Sequence, residues 1–90
     1  MKKQIILKIY GRVQGVFFRD TSHSEAKALN LSGWVRNEPD GTVALVAEGE
    51  EHDLKEFIEW CQSGSDHFKV EKVSMEWLAP TGEFDDFVVK

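Results

Sequence analysis

The sequence has few of the residues that cross-link proteins, hold metal ions or anchor them in membranes. Its one cysteine, Cys61, has no second thiol to pair with, so the hydrophobic core must hold the fold together. The three histidines, His23, His52 and His67, show no metal-ligand spacing with that thiol. The apolar run near the amino terminus is too short and too interrupted for a signal peptide or a membrane span. We therefore expect a cytoplasmic protein that has no metal site and no contact with a membrane.

Positive charge is also scarce, because the formal net charge is −5. Binding to long nucleic acids depends on a basic surface, so this balance argues against a general nucleic-acid partner. Small anions remain possible ligands if Arg12, Arg19 and Arg36 form a local positive spot. A length of 90 residues predicts one domain spanning residues 1–90, which we expect to be a monomer.

The most informative stretch present is Gly11-Arg-Val-Gln-Gly-Val-Phe-Phe-Arg19, which lies between a predicted strand and a predicted helix. Two glycines four residues apart allow a sharp turn and a close approach to a ligand. The backbone N–H groups from Gln14 to Arg19 could then converge on a phosphate at the positive end of the following helix. The alternative is an ordinary strand-to-helix loop with a surface arginine. The spacing of the residues alone does not distinguish a phosphate-binding loop from such a loop. The segment is not a Walker loop, because no Gly-Lys-Ser/Thr closes it.

Asn37 is a second candidate, since it ends a predicted short strand and an amide can both donate to and accept from a water molecule. Asparagine before a turn also commonly serves the turn itself. Cys61 falls on an apolar helical stripe and is interpreted as packing rather than as a nucleophile. The acidic pairs Glu50-Glu51 and Asp85-Asp86 are interpreted as solvated.

Periodicity predicts the order βαββαβ with one additional terminal strand. The predicted strands are residues 4–10, 33–37, 42–48, 70–78 and 84–89. Because right-handed crossovers carry both helices to one side, the pattern predicts one antiparallel sheet with two helices on one face, an α+β class.

Local signals set the predicted helix ends and the hairpin turn. Ser22 and Glu25 match a capping box, so the first helix should begin at about residue 22 and stop near Asn30. The second helix carries an apolar stripe and should end in the segment Ser63-Gly-Ser-Asp66; the stripe is formed by Leu54, Phe57, Ile58 and Cys61. The turn Pro39-Asp-Gly41 should join two strands as a hairpin.

Three motifs in this order and spacing closely resemble the acylphosphatase family: the segment of residues 11–19, Gly33-Trp-Val-Arg-Asn37 and Pro39-Asp-Gly-Thr-Val43. The resemblance covers the whole chain in outline. It implies a ferredoxin-like sandwich that hydrolyses the carboxyl-phosphate bond of small-molecule acylphosphates without a cofactor. Phe17 departs from the glycine that many members carry, although phenylalanine also occurs there.

The resemblance also implies residue roles. Arg19 matches the family's phosphate-binding arginine, and Asn37 matches its water-orienting asparagine. The amides of Gln14, Gly15, Val16, Phe17 and Phe18 match its phosphate cradle.

Two other functions remain as alternatives. A non-catalytic anion-binding or regulatory module would keep the cradle but would not need Asn37. A single-stranded RNA binder could share the architecture, but the acidic charge and the lack of the aromatic-glycine signature of RNA modules disfavour it.

Overall fold

A computed structural model describes residues 1–15, 17–63 and 68–90. Its elements follow the predicted order βαββαβ with one further strand. They are β1 (Lys2–Arg12), α1 (Phe18–Ala28), β2 (Ser32–Asn37), β3 (Val43–Glu50), α2 (Glu51–Ser63), β4 (Lys69–Leu78) and β5 (Phe87–Val89).

The five strands form one sheet in the order β4-β1-β3-β2-β5. The first four pair antiparallel, whereas β5 pairs parallel with β2. Both helices contribute side chains to one core with one face of this sheet. The predicted ferredoxin-like α+β arrangement is therefore confirmed, and the terminal strand makes the sheet mixed.

The core follows the alternation of apolar residues in the sequence. Ile5, Leu7 and Ile9 of β1 are each at most 1 % exposed, as a period of two requires for a strand with one buried face. The predicted stripe of α2 is buried in full, and it includes Cys61. The end predicted for this helix is confirmed at Ser63, and the rest of the predicted terminator, residues 64–66, lies outside the described residues.

The predicted start of α1 is wrong, because the helix begins at Phe18 and not near residue 22. Ser22 is a buried interior residue whose hydroxyl donates to the carbonyl of Arg19 at 3.0 Å, so it does not cap the helix. Serine can bond back to a carbonyl one turn earlier, and the same short motif can therefore occur inside a helix. The consequence is that the helix amino terminus lies directly at the candidate loop.

The predicted stop of α1 is confirmed. Asn30 adopts φ 58°, and its N–H donates to the carbonyl of Lys27 at 3.1 Å, while the N–H of Leu31 donates to Ala26 at 2.9 Å. These two bonds form a Schellman motif, which satisfies carbonyls at the end of a helix.

Gly11 lies within β1 and not in the loop. A Cβ built at this residue would lie 2.2 Å from the carbonyl oxygen of Lys69, beside an irregularity in the β1–β4 pairing. Only glycine permits this close approach of two strands. Gly11 therefore serves the sheet, and the expectation that both glycines shape the ligand loop holds for Gly15 only.

The last strand is shorter than predicted, because it covers Phe87–Val89 only. Before it, residues 79–86 connect β4 with β5, and two residues of this connection bond the buried carboxylate of Glu48. That carboxylate accepts from the hydroxyl of Thr81 at 2.7 Å, from the N–H of Gly82 at 3.0 Å and from the amide of Gln4 at 2.6 Å. Hydrogen bonds to a polar side chain thus replace strand pairing in this segment.

Candidate active site

A small cavity of about 140 Å³ lies where the β1–α1 loop meets the end of β2. It brings together Arg19 and Asn37, the two side chains singled out in the sequence. Its lining is Val13, Gly15, Phe17, Phe18, Arg19, Asp20 and Asn37. Val16, which the sequence assigns to the same cradle, lies outside the described residues.

Two residues with positive φ shape the described part of the loop. Gly15 has φ 73° with open space around it, and Phe17 has φ 65° and ψ 17° as the residue that precedes α1. Among the residues that the structure describes, the N–H of Thr21 is the first in this helix found to bond back, to the carbonyl of Phe17 at 2.9 Å. The earlier N–H groups of a helix have no intrahelical acceptor and carry the positive end of its dipole. This geometry suits a bound anion.

Asn37 presents an unsatisfied acceptor at this cavity. Its Oδ1 is buried and has no hydrogen-bond partner among the described residues. A buried polar atom without a partner costs free energy, so its presence in a folded protein calls for an explanation such as a water molecule or a ligand. The residue ends β2 opposite Val43, which fixes its position in the sheet.

The guanidinium of Arg19 contacts Lys90, the residue that follows β5. One of its N–H groups donates to the main-chain oxygen of Lys90 at 3.2 Å. Lys90 is itself fixed, because its N–H donates to the carbonyl of Val35 at 2.8 Å. Arginine has five N–H donors in a planar fork, so the contact with Lys90 leaves donors available for an anion.

The side chain of Gln14 connects the loop to the β2–β3 hairpin. Its Nε2 donates to the carbonyl of Glu38 at 2.8 Å and to that of Thr42 at 2.7 Å. Gln14 does not line the cavity, so its side chain supports the loop from outside. The sequence singled out the backbone of this residue and gave no signal for the role of its side chain.

The hairpin that carries Asn37 has its own polar support. Asp40 accepts hydrogen bonds from the hydroxyl and the N–H of Thr42 at 2.6 and 3.0 Å, and its other oxygen lies 2.9 Å from Nζ of Lys8. The bonds from Thr42 and the ammonium of Lys8 lower the pKa of Asp40 well below its usual range. A charged Asp40 therefore holds the turn closed at neutral pH.

Of the three arginines considered for a local positive spot, only Arg19 lines the described cavity. Arg36 stacks over the Trp34 ring at 4.7 Å from its centroid and pairs with Glu38. Because successive strand residues point to opposite sides, Arg36 lies on the sheet face opposite to that of Asn37. Arg12 ends β1, is exposed and does not line the cavity. Sequence reasoning also missed Asp20, whose signal was an acidic residue in the first turn of a helix.

Other reactive groups lie apart from this cavity. His52, Asp53 and Glu56 bring possible ligand atoms within 4.8 Å of one another on α2, with His52 and Glu56 exposed and Asp53 partly buried. Burial raises the pKa of the Cys61 thiol far above its ordinary value, with a smaller contribution from Glu25, so its placement in the core supports the packing interpretation. Neither described helix has the length and apolar character needed to cross a membrane.

Comparison with known proteins agrees with this geometry. The profile of the acylphosphatase family matches residues 5–89, almost the whole chain. The chain belongs to the acylphosphatase family.

Several family members are similar to the chain over most of their length. An acylphosphatase of Marinobacter nauticus is 47 % identical over 90 % of this chain and 88 % of its own. An acylphosphatase of Rubrobacter xylanophilus is 44 % identical over 98 % of this chain and 80 % of its own. Membership of an enzyme family is thereby established for the chain as a whole.

A solved structure shows the same fold. The crystal structure of the acylphosphatase from Bacillus subtilis superposes with a TM-score of 0.93 at 37 % identity, covering 100 % of this chain and 99 % of that one. The order of strands and helices described above is therefore that of an acylphosphatase.

Proposed function

We propose that this chain hydrolyses acylphosphates to a carboxylate and inorganic phosphate by in-line attack of a water molecule. The observation that carries the proposal is the juxtaposition, at one small cavity, of Arg19, a helix amino terminus and the Oδ1 of Asn37, which has no hydrogen-bond partner among the described residues. An anion needs the first two. A water molecule that must be oriented needs the third, and pure anion binding does not explain it.

In the proposed mechanism, the guanidinium of Arg19 and the amides of the loop from Gln14 to Phe18, Val16 included, hold the phosphoryl oxygens. Enzymes of phosphoryl transfer act mainly by positioning reactants and by stabilising charge on the equatorial oxygens. A planar fork can contact two of those oxygens at once. The hydrogen bond from Arg19 to Lys90 supports this role, because it limits the rotation of the guanidinium before the substrate arrives.

The proposed role of Asn37 is to orient the nucleophile. A water molecule that donates one hydrogen to Oδ1 can direct a lone pair at phosphorus, opposite the departing carboxylate. The carboxylate is a weak base and leaves without full protonation, so a strong general base beside the water is unnecessary. We propose that an oxygen of the phosphoryl group accepts the proton of the water.

We further propose that residues 1–90 act as one monomeric domain in the cytoplasm, on a small-molecule substrate and without a metal ion or other cofactor. The net charge of −5 supports a small substrate over a nucleic acid. The single thiol, Cys61, is buried and free, which suits a reducing compartment.

The test is to incubate the purified protein with benzoyl phosphate in excess chelator and to follow loss of the substrate against the uncatalysed rate. Turnover that persists in chelator, with competitive inhibition by inorganic phosphate, is the expected result. Activity that is lost with chelator and restored by magnesium or zinc would refute the metal-free mechanism. Phosphate binding without turnover would instead favour the anion-binding module.

A further inference from the structure

Phe17 is the one apolar side chain among the lining residues of the cavity that is largely exposed, at 75 %. Its neighbour Phe18 is only 1 % exposed and packs edge-on against Phe68 at 4.8 Å between ring centroids. The aromatic pairs found among the described residues all exclude Phe17. The ring of Phe17 therefore contributes nothing to the described core.

The backbone also disfavours a phenylalanine at this residue. With φ 65° and ψ 17°, Phe17 occupies the left-handed region, where a Cβ is unfavourable and glycine is not. A side chain retained in such a conformation, without packing in the core, is a candidate for a role in binding. Its position in the cavity lining indicates which part of a substrate it can contact.

The size of the cavity separates the two parts of an acylphosphate. A volume of about 140 Å³ accommodates a phosphoryl group and an attacking water molecule, but not a large acyl group as well. The acyl carbon is joined to phosphorus through a single oxygen, so the acyl group must begin at the mouth of the cavity. The ring of Phe17 both lines the cavity and is largely exposed, so it can pack against an apolar acyl group on the solvent side of the cavity.

We propose that Phe17 is a specificity-determining residue that contacts the acyl group and favours acylphosphates with an aromatic or bulky apolar acyl group over small ones. This inference rests on the proposed function, since it concerns the substrate of the same cavity. An exposed ring gains from covering apolar surface of the ligand, and it gains little from a methyl group. The preference should therefore depend on the ring itself and not on the phosphate contacts.

The experiment compares kcat/KM for benzoyl phosphate and acetyl phosphate in the wild type, in Phe17→Gly and in Phe17→Tyr. Glycine removes the ring and adopts the left-handed backbone easily, whereas tyrosine keeps the ring and the backbone strain. Because both substrates are measured on each variant, any change in the phosphate cradle affects both and cancels in the ratio. The expected result is a fall of about tenfold in the benzoyl-to-acetyl ratio for Phe17→Gly, equivalent to about 1.4 kcal/mol, and a ratio retained in Phe17→Tyr.

An unchanged ratio in Phe17→Gly would overturn the inference, and so would an equal fall in Phe17→Tyr, which still carries the ring. Both results leave the proposed function intact, provided that the wild type hydrolyses the two substrates. A wild type that hydrolyses neither substrate would overturn the proposed function, and the inference would fall with it. Inhibition by benzoylphosphonate relative to acetylphosphonate gives the same comparison for binding alone and should fall in parallel.

Discussion

The amide of Gln14 donates to the carbonyl of Thr42 at 2.7 Å and thereby ties the loop beside the candidate site to the hairpin that carries Asn37. The second hydrogen of the same amide goes to the carbonyl of Glu38, on the other side of the turn. One side chain thus sets the distance between the segment proposed to hold the phosphate and the residue proposed to hold the water.

Gln14→Ala should consequently destabilise the protein and also lower its turnover rate. Each hydrogen bond contributes about 1 kcal/mol net, so the free energy of unfolding should fall by about 1–2 kcal/mol. Turnover should fall further than the loss of folded protein explains, because the loop and the hairpin lose their common anchor. Urea denaturation and kcat are measured beside Gln62→Ala, a matched change at an exposed glutamine of α2. A denaturation midpoint no lower than that of the control would contradict this role.

Acidification should weaken the hydrogen bonds that Glu48 accepts from the connection between β4 and β5. Burial raises the pKa of Glu48, but the hydrogen bonds from Thr81, Gly82 and Gln4 outweigh burial and lower the pKa below its ordinary value of 4.5. A carboxyl with a lowered pKa in the folded state stabilises the protein above its unfolded pKa, and this contribution is lost as the pH falls through the folded value.

Glu48→Gln should therefore be less stable than the wild type at pH 7, with a difference that shrinks as the pH falls below 4.5. The measurement is the free energy of unfolding in urea at several pH values from neutral to strongly acidic. Glu76→Gln, at an exposed carboxyl of β4, is the matched control and should show no such convergence. If the difference in stability between Glu48→Gln and wild type is constant with pH, the charge of Glu48 does not stabilise the connection between β4 and β5.

Arg19→Lys should be far more damaging than a change that keeps the charge would suggest. An ammonium cannot reproduce a planar two-point contact with phosphoryl oxygens, so both phosphate affinity and turnover should decrease while the protein remains folded. Arg12→Lys, at the exposed end of β1, is the matched control and should behave as wild type. Full activity and unchanged phosphate inhibition in Arg19→Lys would remove this residue from the mechanism.

The sequence predicted most of the fold because its patterns are local. Alternation in β1 and the stripe of α2 from Leu54 to Cys61 need only a period to be recognised, and both are confirmed. The start of α1 was wrong because Ser22 satisfies a short capping motif from inside the helix. Patterns of a few residues cannot distinguish a helix end from a helix interior when a serine can bond in either place.

For the candidate site, too, the sequence predicts some features and not others. Arg19 and Asn37 were found from motifs, and the cavity brings them together. That Arg36 does not line the cavity could have been predicted from strand alternation, since this residue directly precedes Asn37 and points to the other face of the sheet. The contacts from Gln14 to Thr42 and from Arg19 to Lys90 join residues 28 and 71 positions apart, and only the tertiary fold reveals them.

The most direct test of the account is the kinetic behaviour of Asn37→Ala. Oδ1 of Asn37 is proposed to touch the attacking water and not the phosphoryl group, so its loss should lower kcat with little change in phosphate inhibition. Loss of such a contact commonly costs a factor of ~10², which is roughly 3 kcal/mol of barrier. The denaturation midpoint is measured on the same variant, because a role in the turn would lower stability instead.

For Asn37→Ala we expect a kcat reduced about a hundredfold, a nearly unchanged inhibition constant for phosphate and a folded protein. Near-normal kcat with a lowered midpoint would contradict this mechanism, assign Asn37 to the hairpin and leave the attacking water without an identified partner among the described residues.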